Sequence, residues 1–108
     1  MKNLTSKERE QQFHDFRDRY IGVRAACMSV YSSREYPNVS ENTAFLFKLG
    51  VAIGTGHAGL IQSSVRNCLE IGIKEDDIEA VFQLSIDAVG IPQASSVYAW
   101  IREEMARH

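Results

Sequence analysis

Residues 54–72 read GTGHAGLIQSSVRNCLEIG, and this stretch predicts one helix of about four turns between two glycine signals. Gly54 and Gly56 interrupt the helix that precedes, and either Thr55 or Gly56 can cap the new one. Gly72 suits the left-handed backbone that commonly closes a helix. The flanking sequence therefore has to supply the partners against which this central helix packs.

The predicted central helix has one mostly apolar face, which we expect to point inward. At about 100° per residue, an imidazole, a hydroxyl and a thiol fall among the aliphatic side chains of that face. Its members are His57, Ile61, Ser64, Val65 and Cys68. The opposite face is predicted to meet solvent and carries Gln62, Ser63, Arg66 and Glu70. Any chemistry is therefore expected on the inward face.

The composition is that of an ordinary globular protein of 108 residues, with 44% hydrophobic and 24% charged residues. A net charge of −2 provides no basic field for nucleic acid, and no apolar run approaches the roughly 18 residues that a membrane helix needs. The N-terminus is polar and lacks the apolar core of a signal peptide. We expect one domain, residues 1–108, in a cytoplasmic protein with neither nucleic acid nor a membrane as partner.

Three helices are predicted before the central one. The first begins at a capping box formed by Thr5 and Glu8 and runs to about residue 19, and the second, more buried, follows a break at Gly22. A loop is predicted at 34–39 around Pro37. The third helix, about 41–53 and capped by Ser40, is apolar nearly all the way round, so part of its burial is expected to come from another subunit.

Two helices are predicted after the central one. Acidic residues from Glu75 onward begin the fifth helix, Gly90 stops it, and Pro92 suits the first turn of the sixth. The side chains of the sixth helix expected to face inward are Ala94, Val97, Tyr98, Ile101 and Met105. Since no alternating run is bounded by turn residues, the sequence predicts an all-α fold of about six helices.

The second half of the chain resembles the carboxymuconolactone decarboxylase and alkylhydroperoxidase D superfamily. The resemblance rests on Gly72, the acidic helix start at Asp76 and Asp77, and the later Gly90 and Pro92, and it covers about residues 40–101, with residues 1–39 adding the N-terminal helices and a loop. It implies an all-helical bundle that associates with itself into dimers, trimers or hexamers. A site for a small organic substrate is implied near a subunit contact.

The reactive residues of the family are replaced in this chain. Members of the family carry the motif Cys-x-x-Cys-x-x-x-His. When the motif is aligned by counting back from Gly72, its first cysteine falls on His57, its second cysteine on Leu60 and its histidine on Ser64. The glutamate of the hydroperoxidase proton relay aligns with Phe45. The chain therefore resembles the family scaffold without its dithiol, and a thiol peroxidase needs both a thiolate and a resolving partner.

His57, Ser64 and Cys68 are the candidate catalytic residues. The positive end of the helix dipole disfavours an imidazolium, so His57 can be a neutral general base with Ser64 within reach of the same substrate. The alternatives are structural: a helix-terminal histidine bonded to the backbone or water, a serine bonded to the preceding turn, and a plain buried thiol. No spacing offers a metal three ligands, and no cofactor is expected.

Three functions stay open on the sequence. The leading hypothesis is a lyase or other acid/base enzyme of the carboxymuconolactone decarboxylase-like type, with an interface pocket around His57, Ser64 and Cys68. A second is a non-catalytic binding or structural subunit on the same scaffold. A weaker third is peroxiredoxin-type antioxidant activity through Cys27 and Cys68.

Overall fold

The computed structural model of the chain describes residues 4–32 and 38–108. Within these ranges the chain forms six α-helices and no strand, as the sequence predicts. The helices are α1 (Ser6–Arg19), α2 (Ile21–Ser32), α3 (Glu41–Thr55), α4 (Ala58–Glu70), α5 (Glu75–Val89) and α6 (Ile91–Arg107). They belong to two units, Met1–Val39 and Ser40–His108. Residues 34–37 of the predicted loop lie outside the described residues.

The N-terminal unit consists of α1 and α2. The predicted capping box is present, because the Thr5 hydroxyl accepts from the Glu8 amide and the Glu8 carboxylate accepts from the Thr5 amide. The break between the helices is at Tyr20 rather than Gly22, since the backbone of Tyr20 is extended. The prediction that the second helix is the more buried one is wrong, because α1 buries Ser6, whereas Ile21, Met28 and Val30 of α2 are exposed.

The connection from α3 to α4 corrects the predicted cap. Ser40 caps α3 as predicted, but α3 continues to Thr55 before Gly56 takes a left-handed conformation with φ of 69°. That glycine ends α3, so the next extended residue is His57, and His57 rather than Thr55 or Gly56 is the N-cap of α4.

The four helices of the C-terminal unit pack in a ring in which α3 contacts α4 and α5, and α6 contacts the same two. The Cys68 thiol lies 3.7 Å from the Phe45 carbonyl oxygen, so α4 runs back along α3. Gln62 and Arg66 meet Trp100 and Glu104 in register, so α4 and α6 are parallel. Arg102 meets Glu79, and the Tyr98 ring meets that of Phe82, so α5 and α6 are antiparallel. It follows that α3 and α5 run in the same direction.

All four of these helices contribute to one apolar core. Its buried members are Leu49, Ala52, Ile53, Ile61, Val65, Cys68, Ile73, Ile78, Val97, Ile101 and Met105. One inward prediction for α6 is wrong: Tyr98 is 54% exposed, although its ring contacts that of Phe82. Phe47 of α3 is 72% exposed and lies on a helix side that no helix of the unit covers.

Two predicted glycine turns hold the helices in place. Gly72 has φ of 91°, its amide donates to the Leu69 carbonyl, and the Ile73 amide donates to the Cys68 carbonyl. This is a Schellman turn, which also brings Ile73 into the core beside Cys68. Gly90, with φ of 86°, separates α5 from α6, and Pro92 lies in the first turn of α6.

Candidate functional site

His57 is the N-cap residue of α4, and two hydrogen bonds hold it in place. Its backbone amide donates to the Thr55 hydroxyl, and its ring Nδ1 accepts from the Leu60 amide at 3.2 Å. An Nδ1 that accepts carries no proton, so the neutral ring holds its proton on Nε2. The prediction that this side chain points inward is wrong, because a cap residue is not yet helical and the ring folds back over the first turn, where it is exposed.

Ser64 and Cys68 lie further along α4, in different surroundings. Ser64 is half-buried. Cys68 is fully buried in the core, where desolvation raises the pKa of its thiol from 9.0 to about 11. The thiol therefore stays protonated near neutral pH, and it contacts the Phe45 carbonyl oxygen instead of solvent. Cys27 is a second free thiol and is partly buried. The catalytic roles proposed for His57, Ser64 and Cys68 stay predictions.

The polar face predicted for α4 is partly a contact face. Gln62, predicted to meet solvent, is buried, because α6 runs alongside and the Gln62 side chain donates to the Trp100 carbonyl oxygen at 3.1 Å. Arg66, one turn on and also predicted to meet solvent, is only 18% exposed. Helical periodicity assigns polar residues to the outside, and it contains no information about a neighbouring helix that offers polar partners.

Glu104 is the charged residue that the sequence interpretation missed. It belongs to α6, its side chain is 2% exposed, and its Oε1 lies 3.3 Å from Nη1 of Arg66 and 3.5 Å from Nη1 of Arg107. In the sequence, Glu104 follows Trp100 at the same spacing at which Arg66 follows Gln62 on α4. This matching spacing is the one signal that could have indicated the role of Glu104. Because a buried carboxylate needs charged partners, this cluster fixes how α4 and α6 align.

The described residues were also compared with the requirements of a metal site, a membrane span and a surface pocket. In residues 4–32 and 38–108, no three His, Cys, Asp or Glu side chains are grouped so that they could hold a metal ion. No helix in those ranges is both long and apolar enough to cross a bilayer. The N-terminal unit has a shallow, open depression lined by Phe16, Arg19, Tyr20, Ile21, Gly22 and Val23. The three residues predicted from α4 do not line it.

Comparison of the chain with protein-family models, with curated proteins and with solved structures gave no match. The residues predicted for the site form no shared pocket on α4: the imidazole at its first turn is exposed, the Ser64 hydroxyl is half-buried, and the Cys68 thiol is enclosed by the core.

Proposed function

We propose that this chain is a divergent carboxymuconolactone decarboxylase-like protein that acts as a non-catalytic, self-associating helical subunit. The observation that carries the proposal is the burial of Cys68 and the raised pKa of its thiol, about 11. A peroxidatic cysteine has to be an accessible thiolate, whereas this one is protonated and packed against the backbone of α3.

The capping role of His57 supports the same proposal. Its Nδ1 is engaged by the Leu60 amide, so the side chain has a structural task that requires no substrate. The exposed apolar side chains of the C-terminal unit support the self-association. They include Phe47 and Leu84, and in a small protein such surface commonly meets a partner.

The first test is thiol-dependent reduction of hydrogen peroxide and of an organic hydroperoxide. We expect the protein to consume peroxide no faster than its Cys27→Ser/Cys68→Ser variant, because Cys68 cannot form a thiolate near neutral pH. A clear rate that disappears in Cys68→Ser and survives in Cys27→Ser would overturn the non-catalytic proposal.

Acid/base catalysis at His57 is the second candidate, and the exposure of its ring favours it. Because Nδ1 already accepts from the Leu60 amide, the group left for a small organic molecule is the Nε2–H, which donates to the substrate, and Nδ1 can act as a base only when it leaves the cap. Asn at this position can still accept from the Leu60 amide but can neither give nor take a ring proton, so His57→Asn separates the two roles. We expect His57→Asn to keep the stability of the parent and His57→Ala to lose about 1 kcal/mol of unfolding free energy, as read by urea unfolding.

The same pair of variants decides between the candidates when small carboxylates and lactones are screened for turnover. Turnover in the parent that is lost in both His57→Asn and His57→Ala would establish the enzyme. Equal stability of all three proteins would instead contradict the capping role, since the Leu60 amide would then need no acceptor.

A further inference from the structure

One face of the C-terminal unit combines large exposed apolar side chains with glycines. Phe47, Val51 and Gly54 follow one another on α3 at helical spacing, with Gly50 beside them. Phe47 is 72% exposed and Val51 54% exposed. We call the face formed by Phe47, Gly50, Val51 and Gly54 the α3 stripe.

Leu84 of α5 borders the α3 stripe. A Cβ atom on Gly50 would lie 3.8 Å from Cγ1 of Val81, so these two positions are level on the adjacent helices. Because α3 and α5 run in the same direction, Leu84, three residues after Val81, and Gly54, four residues after Gly50, each lie about one turn further along their helices. Leu84 is 80% exposed and so extends the apolar surface beside Gly54.

We propose that the α3 stripe is the interface of a two-fold dimer in which α3 packs antiparallel against α3 of a second copy. This inference rests on the self-association in the proposed function and assigns its surface. An axis between positions 50 and 51 places Phe47 opposite Gly54 of the second copy, and Val51 opposite Gly50. Each large side chain then faces a glycine, and the symmetry repeats every contact.

The glycines provide the space that this pairing needs. A Cβ atom added at Gly54 would have no heavy atom within 4 Å, so the space above Gly54 is empty in the single chain. The stripe itself contains no charged residue, and the ammonium of Lys48 on α3 lies over the ring of Phe45, away from it. An uncharged surface with this alternation of large and small residues fits a second copy of itself better than an acidic or basic partner.

The exposed area fits a weak dimer. Taken with their exposures, the side chains of Phe47, Val51 and Leu84 present roughly 400 Å² of apolar surface per copy, which is within the range of the largest apolar patch on a typical monomer. Two such faces together hide on the order of 800 Å², which is below the roughly 1,200 Å² of standard-size interfaces and in the range of weak, transient ones. We therefore expect reversible association with a dissociation constant in the micromolar range.

Sedimentation velocity from about 5 to 500 μM of the full chain tests the dimer. We expect the parent to shift from monomer to twice that mass, and Phe47→Glu and Gly54→Gln to stay monomeric throughout. Gly54→Gln is the sharper variant, because glutamine is a better helix former than glycine and its Cβ would meet no heavy atom of the single chain within 4 Å. Ile21→Glu and Gly22→Gln on α2 are matched controls, since Ile21 is also exposed and Gly22 also open. These controls should dimerise like the parent.

The outcomes separate the two proposals. A parent that is monomeric throughout would overturn both the self-association and the α3 interface. A parent dimer that survives Phe47→Glu and Gly54→Gln, or is lost in the α2 controls instead, would overturn the interface alone.

Disulfide trapping tests the position of the symmetry axis. In the Cys27→Ser background, Val51→Cys places two thiols near the axis and is expected to form a covalent dimer under mild oxidation. Gln83→Cys on the exposed side of α5 is the control. Cross-linking of the Gln83→Cys variant that is as fast as cross-linking of the Val51→Cys variant would contradict the proposed axis.

Discussion

The buried carboxylate of Glu104 gives the sharpest test of how α4 and α6 are aligned. Its side chain is 2% exposed, whereas that of Arg66 is 18% exposed and that of Arg107 34% exposed. The guanidinium groups can therefore turn towards water when they lose Glu104, but the carboxylate cannot when it loses Arg66. This difference predicts that the two single substitutions have unequal costs.

We expect Arg66→Met to lower the unfolding free energy by about 3 kcal/mol, because it leaves a buried charge with fewer partners. Glu104→Gln keeps the shape of the side chain and removes the charge, so about 1 to 2 kcal/mol is expected, the value of a charge-assisted hydrogen bond. Arg66→Met combined with Glu104→Leu replaces the pair with apolar atoms, and its cost should be well below the sum of the single changes.

Urea unfolding followed by the fluorescence of Trp100 measures all of these proteins. Trp100 is the single tryptophan, and it lies on α6 where its carbonyl oxygen accepts from Gln62. Costs below about 0.5 kcal/mol for both single variants would refute the reasoning, because they would place Glu104 in effective contact with water. Strict additivity in the double variant would refute the pairing across the two helices.

Two further predictions concern the Cys68 thiol and the glycines at positions 72 and 54. The native Cys68 thiol has a pKa of about 11 against 9.0 ordinarily, so the unfolded chain loses this proton first as pH rises, and stability should fall by about 2 to 3 kcal/mol from pH 9 to 11. Urea unfolding across that range should show the loss in the parent and not in Cys68→Ala, and parallel curves would contradict it. At Gly72, whose φ is 91°, alanine should cost about 1 kcal/mol, while Gly54→Ala in dilute protein should be neutral or stabilising. Both positions are open to a Cβ, so equal thermal shifts would show that backbone conformation is not the cause.

Local signals explain why much of the fold could be predicted from the sequence. Thr5 with Glu8, Ser40, Gly72 and Pro92 each act within one turn of their own position, and each has the predicted role. The sequence places the cap of α4 too early in the chain, because histidine is not a common cap. Gly54 and Gly56 together predict the end of α3, but nothing in the sequence indicates that Gly56 ends α3 instead of capping α4.

Contacts between distant residues explain what the sequence could not reveal. Arg66 and Glu104 are 38 positions apart, and a polar residue on a helix is assigned to solvent unless its neighbour is known. By the reverse argument, helical periodicity assigns Tyr98 of α6 to the inside, although it is 54% exposed. The prediction of the candidate site also lacked these contacts between distant residues. Helical periodicity groups Cys68 with His57, but it does not distinguish a thiol enclosed by the core from one that lines a pocket.

The most direct test of the non-catalytic proposal is the reactivity of Cys68 in the folded Cys27→Ser variant, where it is the only thiol. We expect an aromatic disulfide reagent to modify Cys68 only as fast as the protein opens, so that labelling accelerates in step with urea-induced unfolding. Labelling of the native protein at the rate of a free thiol would contradict the proposal, because the predicted site face of α4 would then be accessible and its chemistry open again.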